Sequence, residues 1–265
     1  MTILRSALFF AAAILWSAVL AIAFLPLLIM PRRWVHKATR FWLCGILALV
    51  AAICGLRYRV AGAENLPAGA AIVASKHQSA WDTFVFHQVL DDPVYVMKRE
   101  LFRIPLIGWY MRKVGSIGID RNARVHALKM IALDAKRALA SGRQIVIFPE
   151  GTRVAPGDER PYRAGIAALY EAASVPVVPV ALNSGIFWGR RSFRKHPGLI
   201  TLAFLPPIAP GLDRRTFAST LRARIEAESR RLAAEAEAQL APHGQAGTHP
   251  APRPVDSEDK VKPSR

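Results

Sequence analysis

From Ala7 to Met30 the chain carries no charged residue, and this stretch restricts the fold more than any other feature. A run of Leu, Phe, Ala, Ile and Trp of that length has to be covered by lipid or by protein. It is too long for a cleaved leader, and no small-residue cleavage site follows Leu25-Pro26-Leu27-Leu28. Residues 1–56 therefore read as a membrane anchor. One transmembrane helix is expected over 7–30, followed by a shorter apolar run, Phe41–Leu56, that lies in the interface or re-enters. Arg32, Arg33, Lys37 and Arg40 link the two runs, whereas only Arg5 and the α-amino group precede the first. Positive charge favours the cytoplasmic side. The link is then inside, the N-terminus outside, and the bulk of the chain faces the cytoplasm at a cell inner membrane.

The charge balance fits a membrane surface better than nucleic acid. There are 36 Lys+Arg against 19 Asp+Glu, a net charge of +17. No zinc-finger, helix-turn-helix or RNA-binding signature accompanies it, so nucleic acid is not expected as a partner. Arg190-Arg191-Ser192-Phe193-Arg194-Lys195-His196 mixes cations with an aromatic, as segments on anionic headgroups do. The 2 cysteines, Cys44 and Cys54, both fall in the second apolar run and read as reduced thiols. No metal site is expected.

Beyond Arg57 short apolar runs alternate with helical stretches. Strands are expected at 58–60, 70–74, 94–97, 116–119, 145–148, 177–182 and 199–204, and helices at 81–90, 124–140, 165–173 and 217–240. That order predicts an α/β fold over 57–240. From Ala241 the Pro/Gly/His/charge mixture predicts a disordered tail over 241–265.

Two blocks carry chemistry. His77-Gln78-Ser79-Ala80-Trp81-Asp82 follows the apolar run 70–74 and opens a helix, and Ser79-x-x-Asp82 matches a capping box with Asp in place of Glu. Five residues along one helix rotate about 140°, so His77 and Asp82 meet only if a turn folds the histidine back. Such a carboxylate would orient the imidazole and stabilise the imidazolium. His87 has Asp92 at the same spacing, but it lies inside the helix and reads as a structural or surface histidine. The second block, Phe148-Pro149-Glu150-Gly151-Thr152-Arg153, turns out of the strand 145–148. Its Pro and Gly let the loop wrap an anion, and Arg153 can hold a phosphate bidentately. A base for a hydroxyl beside a phosphate clamp points to acyl transfer onto a phosphorylated acceptor.

Both blocks resemble the signature of the glycerolipid acyltransferases, in particular the 1-acylglycerol-3-phosphate acyltransferases, over roughly Arg57 to Pro207. The resemblance implies a mixed sheet flanked by helices. It implies that Arg121, in Gly115-Ser116-Ile117-Gly118-Ile119-Asp120-Arg121, contacts the acceptor phosphate, with Lys98 assisting and Glu150, Gly151, Thr152 and Arg153 forming the loop around it. Val175-Pro176-Val177-Val178-Pro179-Val180 resembles the Val/Pro strand of the site and is expected to pack. Lys76 stands where many members have Asn, and Lys76→Asn is expected to be tolerated if the position only supports the turn.

The implied reaction uses His77 as base and Asp82 to orient it, with Glu150 fixing the loop or an arginine and backbone amides near the His77 turn holding the oxyanion. Lysophosphatidic acid and an acyl thioester are the expected substrates, the donor being acyl-CoA or acyl-carrier protein, with membrane lipids as further partners and no cofactor. An esterase is disfavoured by the lack of a G-x-S-x-G elbow. Another lysolipid acceptor, such as a lyso-ornithine lipid or lysoglycerophospholipid, and a non-catalytic lipid binder stay open.

Overall fold

The computed structural model describes residues 1–119 and 124–240; the expected tail, 241–265, and Arg121 lie outside the described residues. The helices are α1 (Thr2–Ala23), α2 (Arg32–Cys54), α3 (Asp82–Val89), α4 (Ile107–Lys113), α5 (Arg124–Ala140), α6 (Ala164–Ala173), α7 (Ser184–Phe187) and α8 (Arg214–Leu240). The strands are β1 (Leu56–Ala61), β2 (Ala71–Ser75), β3 (Val94–Lys98), β4 (Ile117–Ile119), β5 (Gln144–Ile147), β6 (Val177–Leu182) and β7 (Gly198–Phe204).

All the strands join one seven-stranded sheet in the order β1-β7-β6-β2-β5-β3-β4. β2, β3, β4, β5 and β6 run parallel, and β7 pairs antiparallel with β6 and parallel with β1. The fold is thus the expected mixed α/β sheet flanked by helices. Side chains alternate along the strands. Ala71 and Val73 of β2 with Val146 of β5 face a core shared with Phe9, Leu47, Val50 and Phe86. Ile72 and Ala74 with Ile145 and Ile147 face Ala138, Ile166, Leu221 and Ile225 on the other side. One layer is therefore α1–α3 and the other α5, α6 and α8. β2 is buried along its whole length, as a central parallel strand should be.

The N-terminal segment differs from the single helix expected over 7–30. α1 stops at Ala23, and Leu25–Ile29 forms a 3-10 turn with Pro26 near its start. The second helix begins at Arg32 rather than Phe41, because its charges find partners: Arg32 donates to both Asp92 oxygens at 2.8 and 2.6 Å. Both helices are long and apolar enough to cross a membrane. They form an antiparallel pair whose crossing depends on Gly45, where a Cβ would meet the Trp16 ring at 2.4 Å. Trp16 Nε1 donates to the Trp42 carbonyl (3.0 Å) and Trp42 Nε1 to Ser17 Oγ (2.9 Å).

Both ends of α1 rest on the rest of the protein. Ser6 Oγ accepts from the Lys195 amide (2.9 Å), and Tyr110 Oη donates to the Ala21 carbonyl (2.8 Å). The helix therefore lies along the α/β domain instead of projecting from it. Its outer face exposes Leu4, Leu8, Leu15, Val19 and Ile22. Lys195, counted above among surface cations, is turned inward. Its Nζ donates to the Ser192 and Phe193 carbonyls (3.1 and 2.9 Å) and sits 3.9 Å from the Phe10 ring centre. Burial lowers its pKa to about 8. Arg190, Arg191 and Arg194 remain exposed.

Candidate active site

Strand pairing explains why blocks far apart in sequence meet. β2 and β5 are parallel neighbours with Ala74 opposite Ile147, so the His77 turn and the Phe148–Arg153 loop leave the same edge of the sheet side by side. Ligand sites of parallel α/β sheets sit at this carboxyl edge. β6, on the other side of β2, delivers Asn183-Ser184-Gly185 there, and β3 delivers Lys98.

The His77 turn closes on Asp82, which is fully buried. Asp82 Oδ2 lies 3.0 Å from His77 Nδ1 and accepts from the Gln78 and Ser79 amides at 2.7 and 2.8 Å. The Ser79 bond is the carboxylate half of the expected capping box. The other half is shifted, since Ser79 Oγ accepts from the Trp81 amide (3.2 Å). Because a carboxylate only accepts, the neutral ring carries its proton on Nδ1 and its lone pair on Nε2. The ring stacks on Phe148, centroids 4.0 Å apart. Of the backbone amides near the His77 turn, those of Gln78 and Ser79 are occupied by Asp82.

Ser184 completes the carboxylate, donating from Oγ to Asp82 Oδ1 at 2.5 Å, while Gln78 Oε1 accepts from the Gly185 amide (2.9 Å). The Val/Pro strand packs as expected, and Ser184 opens α7 two residues beyond its end. Nothing in the sequence marked Ser184, since the contact depends on β6 lying beside β2.

Among the described residues Glu150 pairs with a lysine and not with an arginine. It is 2% exposed; Oε2 accepts from the His77 amide (3.0 Å), and Oε1 lies 2.6 Å from Lys76 Nζ. Burial pushes its carboxyl above the usual range, against the pull of Lys76. Lys76, also 2% exposed, donates to both oxygens of Glu226 in α8 at 2.9 Å. Lys76 thus joins the Phe148–Arg153 loop to α8.

The remaining loop residues face a cavity of about 990 Å³ enclosed by α1, α2, α3, α4 and the sheet edge. His77, Lys98, Gly151, Thr152 and Arg153 line it, together with Arg163, which lies outside both sequence blocks. Arg163 lies just before α6, and its amide donates to the Pro149 carbonyl (2.8 Å). Gly151 has φ +66°, and a Cβ there would press on the Arg163 side chain at 3.3 Å. No ion pair or hydrogen bond engages the guanidinium of Arg153 or Arg163 among the described residues. Lys98 pairs with Glu100 at 3.1 Å, with both side chains about half exposed. Away from this rim the wall is apolar, with Leu20, Phe24, Trp42, Phe84 and Met111.

The other His/Asp pair does not form. His87 is buried and stacks on Tyr95, centroids 5.0 Å apart, while Asp92 binds Arg32 and Arg143. Burial first, and His36 next, lower the His87 pKa to about 3. His87 thus lacks the carboxylate partner that His77 has. Cys44 and Cys54 are free thiols.

The histidine–carboxylate pair lies at one end of an apolar cavity rimmed with cations, and residues 57–183 match the family model described as Acyltransferase. The chain is 34% identical over 256 residues to the 1-acyl-sn-glycerol-3-phosphate acyltransferase of Pseudomonas aeruginosa, covering 96% of each. It therefore belongs to the 1-acyl-sn-glycerol-3-phosphate acyltransferase family. It is 32% identical over 157 residues to the human alpha enzyme of that name, covering 58% of this chain and 56% of that one. The crystal structure of PlsC, the 1-acyl-sn-glycerophosphate acyltransferase of Thermotoga maritima, shares the fold: TM-score 0.72 at 20% identity, over 92% of this chain and 100% of that one.

Proposed function

We propose that the protein transfers an acyl chain from a thioester, acyl-CoA or acyl-carrier protein, to the free sn-2 hydroxyl of 1-acylglycerol 3-phosphate, giving phosphatidic acid. The observation that carries this reading is the placing of His77 and the cations Lys98, Arg153 and Arg163 on one apolar cavity. Its volume is at the upper end of ordinary ligand pockets, as a long chain requires. His77 Nε2 removes the hydroxyl proton as the oxygen attacks the thioester carbonyl carbon. Asp82 stabilises the imidazolium across 3.0 Å. The tetrahedral intermediate collapses with loss of the C–S bond, and the imidazolium returns the proton to the departing thiolate. Arg153 and Arg163 hold the acceptor phosphate with Lys98, and Arg121 is assigned the same task by family resemblance. The thioester is a substrate, and the reaction calls for no resident cofactor.

The α1/α2 pair serves as the membrane anchor. Because both ends of α1 bond to the domain, we place it within one leaflet, with the exposed apolar face in lipid and Arg190, Arg191 and Arg194 near anionic headgroups. The domain faces the cytoplasm at the inner membrane, where thioester donors are available.

A panel assay tests the reading. The purified full chain in detergent is given lysophosphatidic acid, lyso-ornithine lipid or lysophosphatidylglycerol, with acyl-CoA and acyl-carrier-protein donors. Lysophosphatidic acid should give the highest kcat/KM by at least tenfold. Equal or better use of a lysolipid without a phosphate monoester contradicts the acceptor assignment.

A further inference from the structure

Lys76 sits immediately before the histidine and points the opposite way, into the protein. Its ammonium faces two carboxylates brought from distant parts of the chain: Glu150 at 2.6 Å and Glu226 at 2.9 Å. Tyr162 Oη donates to Glu226 Oε1 (3.2 Å), so the group is closed on its far side. Burying one cation and two anions is costly, and apolar residues of similar volume usually pack there at lower cost. A stability role alone therefore explains this group poorly.

What the group touches gives a better account. The Glu150 oxygen not facing Lys76 accepts from the His77 amide at 3.0 Å. Two bonds further along the backbone, the His77 carbonyl accepts from the Val154 amide at 2.7 Å. The peptide units on both sides of His77 are thereby fastened to the Phe148–Arg153 loop and its continuation. Asp82 fixes the ring, while Glu150 fixes the backbone that carries it.

We propose that Lys76 is a positioning residue for acyl transfer, holding Glu150 against the His77 amide and tying that clamp to Glu226 of α8. This rests on the reading of His77 as the base. Lys76→Asn, expected to be tolerated if the position only supports the turn, should then be damaging. An asparagine is too short to reach either carboxylate, and its loss of charge leaves Glu150 and Glu226 facing each other in a buried site. Glu150 can then relieve the repulsion only by moving off the His77 amide or by taking up a proton. A helix remote in sequence, α8, thus becomes part of what orients the base.

The test compares wild type, Lys76→Met, the double variant Lys76→Met/Glu226→Gln, and His77→Ala, each as the full chain in detergent with lysophosphatidic acid and an acyl thioester. Rates are read well below each variant's thermal midpoint. The double variant leaves one buried carboxylate in place of two facing each other, so its midpoint should lie above that of Lys76→Met. Its kcat should nevertheless stay at least tenfold low, with both KM values within about threefold, because the clamp on Glu150 is still missing. If Lys76→Met does not fold, the double variant carries the comparison. Recovery of kcat to within tenfold along with the midpoint, or a loss confined to KM, would overturn the inference and leave Lys76 a stability residue. His77→Ala separates the two levels. If it is inactive while the Lys76 variants keep their kcat, only this inference fails; if it stays active, the reading of His77 falls and this inference with it.

Discussion

Replacing Asp82 by Asn tests the dyad with little change of shape. The carboxylate makes four contacts: His77 Nδ1 at 3.0 Å, the Gln78 and Ser79 amides at 2.7 and 2.8 Å, and Ser184 Oγ at 2.5 Å. An asparagine can keep them all if its oxygen takes the Oδ2 position and its amide nitrogen donates to a rotated Ser184 hydroxyl. Each bond then changes from charge-assisted to neutral, a difference of about 1 kcal/mol apiece, partly offset because no charge is buried. A net loss of about 1–3 kcal/mol is expected, a fall in Tm of roughly 2–4 °C per kcal/mol for a domain of this size. Catalysis loses more, since a neutral amide cannot stabilise the imidazolium; turnover should fall on the order of 10²–10⁴. Asp82→Ala, by contrast, strands two buried amides and a hydroxyl at ~1–3 kcal/mol each and threatens folding itself. The assay pairs initial rates of thiol release with a thermal melt. A folded Asp82→Asn protein with turnover within threefold of wild type would refute the role given to the carboxylate.

Other consequences are equally specific. Arg153→Lys keeps the charge but loses the planar fork, and should weaken acceptor use by about 1–3 kcal/mol, roughly ten- to a hundredfold, with the thioester KM barely moved; a loss in the donor KM instead would reassign Arg153. His87 has a folded-state pKa of about 3 against an ordinary 6.5, so the unfolded chain takes up its proton first and stability drains away as pH falls from 6.5 toward 3, by up to about 1.4 kcal/mol per pH unit. His87→Phe should flatten that slope in urea midpoints measured between pH 6.5 and 4, and an unchanged slope would show His87 is not its source. In a Cys44→Ala background, cysteines at Thr2 and at Ser219 should both resist an impermeant reagent in sealed cells and both react on lysis. Labelling at Thr2 alone would restore a crossing α1, as the distribution of basic residues had predicted.

Much of the fold could be read directly because its parts are local. Short, mostly apolar runs marked the strands, and β6 (Val177–Leu182) was read to its last residue. α2 was misread because Arg32, Lys37 and Arg40 looked like a solvated link. Asp92, which neutralises Arg32, lies beyond α3 and could not be paired with it from sequence. The site divides the same way. His77 and Asp82 are joined by a short turn with a capping signature, so their meeting was legible. Glu150, Lys76 and Glu226 meet only because β2 and β5 are neighbours and α8 packs beneath them, and strand order is not encoded in any single segment. Arg163 was passed over for a related reason: it follows the signature loop and returns to it through the Pro149 carbonyl.

The central claim, that His77 is the base, has an internal control in the second histidine at the same spacing from an aspartate. Turnover of lysophosphatidic acid by purified His77→Ala and His87→Ala, each checked for a cooperative melt, is the direct measurement. The geometry predicts that His77→Ala loses a factor on the order of 10²–10⁴ or more while still binding the lysolipid, and that His87→Ala stays within a few-fold of wild type. Full turnover in His77→Ala, or a collapse confined to folded His87→Ala, would contradict the account.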